Sequence, residues 1–550
     1  MHVLSAAEMQ ACDRATTGQF GIPSLELMRA ASAAVAAFAR QQFPQARRVT
    51  VVCGRGNNGG DGMMAARLLA AAGLEVTTLL LGAPGGLNGD AAAAWRELTR
   101  LESEPANGLV HVVETAEELV RHNDALEADL ILDAVLGTGF NPPLKGLALA
   151  ALEWLKGSAA PVLAVDLPSG WPADETAATV AGPVFPADAV ITFTAPKPAH
   201  VFGQLTRQWD QPIVVVPIGS PEGAVVSALG LDWGGAAVET VQAPRAAGAN
   251  KGNFGHVLVV GGAVGKSGAP AMASLAAMRA GAGLVTAAVP APVLGLVAAI
   301  APELMTCPLI ATPTGQIAAE NLAPELIAAL TKGITVLAIG PGLGQSPETA
   351  KFVTGLLAAT RMPAVIDADA LNILAAKPVL LAKLAKGRTL VLTPHPGEMA
   401  RLAGITVAEV QANRLEVARD FARRTGVTLV LKGARTLIAH SGGRVAVNTT
   451  GNPGMAKGGS GDVLTGLVAG LLAQYAAEPA RAVEAAVALH GLAGDLAVRQ
   501  LDQHTYLATD GLAQLSRAFR FRSCGSNGYV WLQGLPAELS PAMSSCEAAQ

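Results

Sequence analysis

At 550 residues the chain has room for two to four domains, and 51% hydrophobic with 15% charged residues supplies large cores. A net charge of −4 with mixed signs excludes a basic nucleic-acid stripe, and 4% aromatics do not suit base-stacking platforms. Five scattered cysteines form no C-x-x-C pair, so neither a zinc site nor a disulfide framework is indicated. There is no basic-then-apolar leader at the N-terminus and no uncharged apolar run of about 18 residues, so a cytoplasmic protein without membrane contact is expected.

The predicted elements begin with helices. Ser5 and Glu8 form a capping box, and Ser24 opens an Ala-rich helix that ends near Pro44. Strands and helices then alternate, with strands at 49–53, 76–81, 130–133, 162–166, 189–194 and 213–217 and helices at 63–72 and 90–99. Apolar strands alternating with helices predict a parallel sheet covered on both faces. Around 222–250 the texture becomes irregular, and residues 226–239 are read as a linker. The alternation restarts with strands at 257–260, 284–289, 336–339, 364–367, 389–392 and 428–431. The expected fold class is therefore α/β in two domains, 1–225 and 240–520, followed by a loose polar tail at 521–550.

In the first domain, Gly54-Arg-Gly56-Asn-Asn-Gly59 follows a strand and precedes a helix. It matches G-x-G-x-x-G, but the next strand ends in Gly-Ala-Pro and lacks the acid that a dinucleotide site places about 20 residues on. Nicotinamide redox chemistry is therefore not indicated. Asn57, Asn58, Gly59, Gly60 and Asp61 instead place amides and an acid among glycines. Asp133 leads into a loop from Gly137 to Pro143, and Asp166 leads into Leu-Pro-Ser169. In a parallel sheet the crevice lies beyond the carboxyl ends of strands, so Asn58, Asp133, Asp166 and Ser169 are expected to converge there. Their oxygen donors suit a hard cation rather than zinc. Taken singly, each acid could equally cap the following helix.

In the second domain, Gly265-Lys-Ser267 resembles a P-loop ending but lacks its first glycine, so it is no Walker motif. Gly340-Pro-Gly342-Leu-Gly344, Asp367-Ala-Asp369-Ala-Leu-Asn372 and Thr393-Pro-His395-Pro-Gly-Glu398 each end a strand. The densest signal is Asn452-Pro-Gly-Met-Ala-Lys-Gly458-Gly459-Ser460-Gly461-Asp462, which runs into helical spacing at Val463, Leu464, Leu467, Val468 and Leu471. Free backbone N–H groups at a helix N-terminus attract anions. A carboxylate there would repel a phosphate unless it has a task, such as taking a proton from an attacking hydroxyl.

Together these motifs carry a resemblance. NNGGDG, DAVLGTG and DLPSG resemble the NAD(P)H-hydrate epimerase domain. KGNFGHV, GPGLG, DADALN, LTPHPGE, KGART and NPGMAKGGSGDVLTG resemble the ribokinase-like, ADP-dependent NAD(P)H-hydrate dehydratase domain. The resemblance reaches to about residue 520 and implies a bifunctional enzyme that repairs hydrated NADH and NADPH. A Rossmann-like N-terminal sheet would interconvert R and S hydrates. A ribokinase-like C-terminal domain would dehydrate the S form with ADP as co-substrate, giving NAD(P)H, AMP and phosphate.

By the same resemblance Asn57, Asn58, Gly59, Gly60, Asp61, Gly137, Thr138, Gly139, Phe140, Asn141, Pro142 and Pro143 should hold the hydrate in the first site, with Asp166 beside it in a catalytic role. Potassium should sit on Asn58, Asp133 and Ser169. In the second site Ala269, Gly342, His395 and Asp462 should face the hydrate, with Asp462 catalytic. The nucleotide should meet Lys432, Gly433, Ala434, Arg435, Thr436, Asn452, Gly458, Gly459, Ser460 and Gly461. Magnesium should accompany ADP, helped by Glu398. Both substrates are small molecules, and a homo-oligomer without nucleic acid is expected. The rival readings are a ribokinase-class kinase that makes a stable phosphate ester, or a non-catalytic first domain that serves as a ligand- or protein-binding module.

Overall fold

The computed structural model describes residues 1–100, 108–523 and 528–536. They divide into two compact units, one of residues 1–231 with the described residues from Ser523 onward, the other of residues 232–522.

The first unit is built on eight strands: β1 (Arg48–Cys53), β2 (Glu75–Leu81), β3 (Gly108–Val113), β4 (Leu130–Ala134), β5 (Val162–Val165), β6 (Ala189–Phe193), β7 (Ile213–Val216) and a C-terminal strand, Val530–Gln533. The order across the sheet is Val530–Gln533, β7, β6, β5, β4, β1, β2, β3. All pairings are parallel except one, where Val530–Gln533 runs antiparallel to β7. The centre of the sheet is covered on both faces, so β4, β5 and β6 are buried along their whole length. Chain order reverses between β1 and β4, which opens a crevice beyond their carboxyl ends.

The second unit carries β8 (Leu231–Trp233), β9 (His256–Val260), β10 (Leu284–Pro290), β11 (Met305–Leu309), β12 (Val336–Ile339), β13 (Ala364–Ile366), β14 (Leu390–Leu392), β15 (Thr428–Leu431), β16 (Leu437–Ala439) and β17 (Val445–Val447). Its sheet runs β11-β10-β9-β12-β13-β14-β15-β16-β17-β8, with a second reversal between β9 and β12. The seven strands from β11 to β15 are parallel, and β16 and β17 add an antiparallel hairpin. The helix Ser460–Gln474 is buried on nearly every side, as its run of Val463, Leu464, Leu467, Val468, Leu471 and Leu472 requires. It packs against the helix Gly268–Arg279, and only glycine fits at the crossing: a Cβ on Gly466 would strike the Ala273 carbonyl oxygen.

Two sequence expectations fail here. Residues 226–239 are not a linker: β8 joins the second sheet beside β17, followed by the short helix Val238–Val241. Trp233 is 3% exposed and its Nε1–H donates to Thr449 Oγ1 at 2.9 Å, and Asp232 Oδ2 accepts from Arg444 Nη1 at 2.8 Å, so burial and these bonds hold the segment down. The tail is not loose throughout, because Val530–Gln533, numbered β18, completes the first sheet. Trp531 and Leu532 are buried, and the rings of Tyr529 and Trp531 lie 5.3 and 6.2 Å from that of Phe38. Burying such side chains contributes about 1.5–3 kcal/mol each. Residues 537–550 lie outside the described residues. The half-buried edge strands β3 and β11 and the three-residue inner strands β16 and β17 were also missed.

Candidate functional site

The first site forms at the reversal between β1 and β4. The helix Asn57–Ala71 starts at NNGGDG with no side-chain cap, leaving its first N–H groups open. Gly59 is required there, because a Cβ would collide with the Gly54 carbonyl. Both amide atoms of Asn58 are buried and have no hydrogen-bond partner. A Cβ on Gly137 would stand 3.2 Å from Asn58 Oδ1 and 2.9 Å from Asp166 Oδ2, so the amide and the carboxylate meet over that glycine. An unpartnered buried amide is costly, which points to a missing ligand.

Asp133 is fully buried at the end of β4. Its Oδ2 accepts from the Ser169 N–H at 2.7 Å, and its Oδ1 accepts from Ser169 Oγ at 2.6 Å and from the Val135 N–H at 3.2 Å. These donors are all neutral, and burial pushes the carboxyl up to about 6 despite them. Ser169 Oγ accepts from the Leu136 N–H at 2.8 Å, one residue before Gly137. Two of the three expected cation ligands are therefore in direct contact, and the third lies against the loop they anchor.

Asp166 follows β5 with φ +68 and is wholly engaged. Its Oδ2 accepts from the Thr138 N–H at 2.7 Å and from Thr138 Oγ1 at 2.5 Å. Its Oδ1 accepts from Thr192 Oγ1 and from Lys197 Nζ, each at 2.8 Å. Burial raises its carboxyl, but the Lys197 charge, His200 and the hydrogen bonds from Lys197 and Thr138 together outweigh that and hold it far below the usual range. The Lys197 N–H donates to His200 Nδ1 at 3.0 Å, which leaves Nε2–H to donate to the Asp166 carbonyl oxygen at 2.8 Å. Burial and Lys197 push that imidazole down to about 4, so it stays neutral. Asp166 is thus an anion that ties the Gly137–Pro143 loop to β5 through Thr138. Asp61 is the opposite case: burial and the charges of Asp166, Asp13 and Asp90 raise its carboxyl well above the ordinary value.

Within that loop Phe140 packs against the core, whereas Gly139, Asn141, Pro142 and Pro143 are exposed. Asn57 is exposed too, and Gly60 is buried. Sequence reasoning missed Thr192, Lys197, His200 and Asp13. The signal was present, since Lys197 and His200 follow β6 just as the chosen residues follow their strands.

The second site lies beyond the carboxyl ends of β12 to β15. Gly459, with φ +95, opens the helix Ser460–Gln474. A Cβ on Gly461 would stand 3.3 Å from Lys432 Nζ and 3.7 Å from Asp367 Oδ2, so an ammonium overlies the helix N-terminus. Lys432 Nζ donates to Asp367 Oδ1 at 2.9 Å, and Thr465 Oγ1 donates to Asp367 Oδ2 at 2.6 Å. Asp462 stands on the first turn, its carboxyl pushed up to about 6 by burial and by the Asp367 charge, with Lys432 opposing. An electropositive helix end, a lysine and a carboxylate ready to take a proton are thereby assembled.

The neighbouring segments complete it. Gly342, at φ +66, would place a Cβ 3.3 Å from Ala269, so those two expected substrate residues adjoin. His395 caps the helix Pro396–Ala403, its Nδ1 accepting from the Gly397 and Glu398 N–H groups at 3.0 and 3.3 Å, while Glu398 Oε2 accepts the His395 N–H at 2.8 Å. Glu398 is committed to this box and lies 3.9 Å from Lys432 Nζ. Among the described residues no group of three or more His, Cys, Asp or Glu is arranged to hold a metal. In the nucleotide segments, Arg435 adopts φ +53 and donates to the Thr449 carbonyl oxygen at 3.2 Å. Thr436 Oγ1 donates to the Gly433 carbonyl oxygen at 2.8 Å, while Gly433 and Ala434 are exposed. Asn452 Oδ1 accepts the Gly454 N–H at 3.0 Å, and Ser460 Oγ donates to the Met455 carbonyl oxygen at 2.8 Å. Gly458 is exposed at the loop tip.

Two α/β sheets, each with polar loops gathered at a reversal of strand order, define a two-site α/β enzyme. The family profile described as NAD(P)H-hydrate dehydratase matches residues 257–517, and that of the YjeF-related protein N-terminus matches residues 24–199. The bifunctional NAD(P)H-hydrate repair enzyme of Moorella thermoacetica is 42% identical over 94% of this chain and 97% of its own. That of Escherichia coli K12 is 36% identical over 93% of each chain. Among solved structures, the ADP/ATP-dependent NAD(P)H-hydrate dehydratase from Bacillus subtilis is 32% identical over 52% of this chain and 96% of that one, with a TM-score of 0.43. The chain belongs to the family of bifunctional NAD(P)H-hydrate repair enzymes.

Proposed function

We propose that this chain repairs hydrated NADH and NADPH, with epimerisation in the first unit and ADP-dependent dehydration of the S hydrate in the second. The observation that carries the reading is Asp462 on the first turn of a buried helix whose N-terminus is overlain by Lys432. Hydroxide is a poor leaving group and must be activated. Asp462 accepts the proton of the hydrate hydroxyl as its oxygen attacks the terminal phosphoryl of ADP, and AMP departs. Lys432 and the N–H groups of Gly459, Ser460 and Gly461 offset the charge on the transferring phosphoryl. The new phosphate ester then leaves with the C–O bonding electrons as the ring nitrogen pushes. Loss of a proton from the adjacent carbon restores the double bond. Magnesium would enter on the nucleotide phosphates, since the described residues offer no cage of their own.

In the first unit, the orphaned Asn58 amide and the buried Asp133 carboxylate with Ser169 fit a large monovalent cation such as potassium. Asn58, Asp133 and Ser169 would hold it, and its charge would balance Asp133 and order the adjoining loops. Asp166 fixes the Gly137–Pro143 loop through Thr138, and Asp61 faces the same region. The test is direct: mixed hydrate epimers are incubated with ADP and the return of reduced-nicotinamide absorbance is followed. Full conversion with AMP release is expected. Accumulation of a stable phosphorylated product would mark a kinase instead, and conversion of only the S portion would remove the epimerase.

A further inference from the structure

The two nucleotide segments flank the β16–β17 hairpin, and at its base the Asn448 N–H donates to the Thr436 carbonyl oxygen at 2.9 Å and Arg435 donates to the Thr449 carbonyl oxygen at 3.2 Å. The helix Pro479–Val498 backs the second segment. A Cβ on Gly491 would strike Thr450, and one on Gly494 would stand 3.0 Å from Met455 Cγ, so the Asn452–Asp462 loop lies directly on this helix's backbone. One turn from Gly491, Asp495 spends each carboxylate oxygen on that loop. Oδ2 accepts the Gly451 N–H at 2.9 Å and Oδ1 accepts Asn452 Nδ2 at 3.0 Å. Gly451 stands at φ +104, a region of backbone space that glycine enters and other residues rarely do.

The tie continues in both directions. Asn452 passes it on through Oδ1 to the turn Pro453–Met455, whose Met455 carbonyl oxygen accepts from Ser460 Oγ at the start of the helix Ser460–Gln474. On the other side the Asp495 charge bears on the partly buried Arg435 guanidinium of the KGART segment. We propose that Asp495 is a positioning residue that latches the Asn452–Asp462 nucleotide loop into its binding geometry before ADP arrives. This rests on the nucleotide reading of the second site. Charge-assisted bonds to a pre-set loop lower the ordering penalty of binding, so the latch acts on ADP affinity rather than on the chemical step.

The experiment compares Asp495→Ala and Asp495→Asn in the full chain, with ADP binding measured by calorimetry and turnover by reduced-nicotinamide absorbance. Asp495→Ala should weaken ADP at least about tenfold, since two bonds to a charged group are lost. Turnover at saturating ADP should stay within about twofold, the KM for hydrate should not move, and epimerisation should be untouched. Asp495→Asn keeps one acceptor oxygen and should fall between the two. An Asp495→Ala protein that folds and binds ADP as the parent does overturns the latch alone. A parent protein that binds no ADP overturns the nucleotide site and the latch together. Should Asp495→Ala not fold, Asp495→Asn decides: unchanged ADP affinity overturns the proposal, and selective weakening supports it.

Discussion

Asp462 and Asp133 show how one residue type is put to two uses by its surroundings. Asp462 is partly open, with Lys432 beside it, and its carboxyl sits at about 6. A base must be deprotonated to work. Raising the carboxyl pKa therefore moves the acid limb of dehydration up, so turnover should fall as pH drops through about 6, where an ordinary aspartate would hold to about 4. A pH profile of turnover at saturating ADP checks this, and a limb near 4 would remove Asp462 from the role. Asp462→Asn should lower dehydration by about 10²–10⁴-fold while ADP still binds and epimerisation continues. Asp133 is sealed in and bonded to neutral donors. Potassium should raise the melting temperature of the parent protein but not of Asp133→Ala, which should also epimerise poorly while dehydrating pure S hydrate. A potassium effect that survives the substitution would place the ion elsewhere. Both aspartates were legible as strand-end or helix-start acids. Lys197, which pairs with Asp166, was not, because its partner lies 31 residues away and only packing joins them.

At the scale of elements, glycines decide where the sites can form. Gly59 lets the helix Asn57–Ala71 start against the Gly54 carbonyl, and Gly466 lets the helix Ser460–Gln474 lie on the helix Gly268–Arg279. Gly466→Ala would press a methyl into the Ala273 backbone, which cannot step aside as a flexible side chain would. Overpacking of this kind costs about 1–3 kcal/mol. The expected result is a lower melting temperature for the second unit and reduced dehydration, with epimerisation intact. An unchanged thermal transition would mean that the two helices separate freely. The helical spacing that follows Asp462 in sequence already announced a buried helix. Its partner helix could not be read, because Ala273 and Gly466 lie at opposite ends of the second unit's sequence and only the sheet brings their helices together.

On the scale of the whole chain, the described residues after Ser523 belong to the first unit, so that unit is made from both ends of the sequence. Ending the chain after Arg522 removes β18, uncovers the β7 edge and strips Tyr529 and Trp531 from Phe38. Burial of about 1.5–3 kcal/mol per large side chain is lost. The first unit should melt earlier and associate through its open edge, while ADP-dependent dehydration persists. Differential scanning calorimetry with light scattering measures this, and an unshifted first transition would make β18 dispensable. A fragment ending at residue 225 carries the same defect.

By itself the sequence determined the alternation of strands and helices, the two-unit α/β plan and most of the polar residues at strand ends. Those signals are local: a run of β-branched residues, a helix period or a glycine cluster is written within about a dozen positions. Tertiary structure alone decided that residues 231–233 and 530–533 become sheet edges, that Asp166 is an anchored anion, and that Asp495 reaches the nucleotide loop. Each depends on groups brought together from distant parts of the chain, where burial and a partner's charge outweigh anything the neighbouring residues prefer.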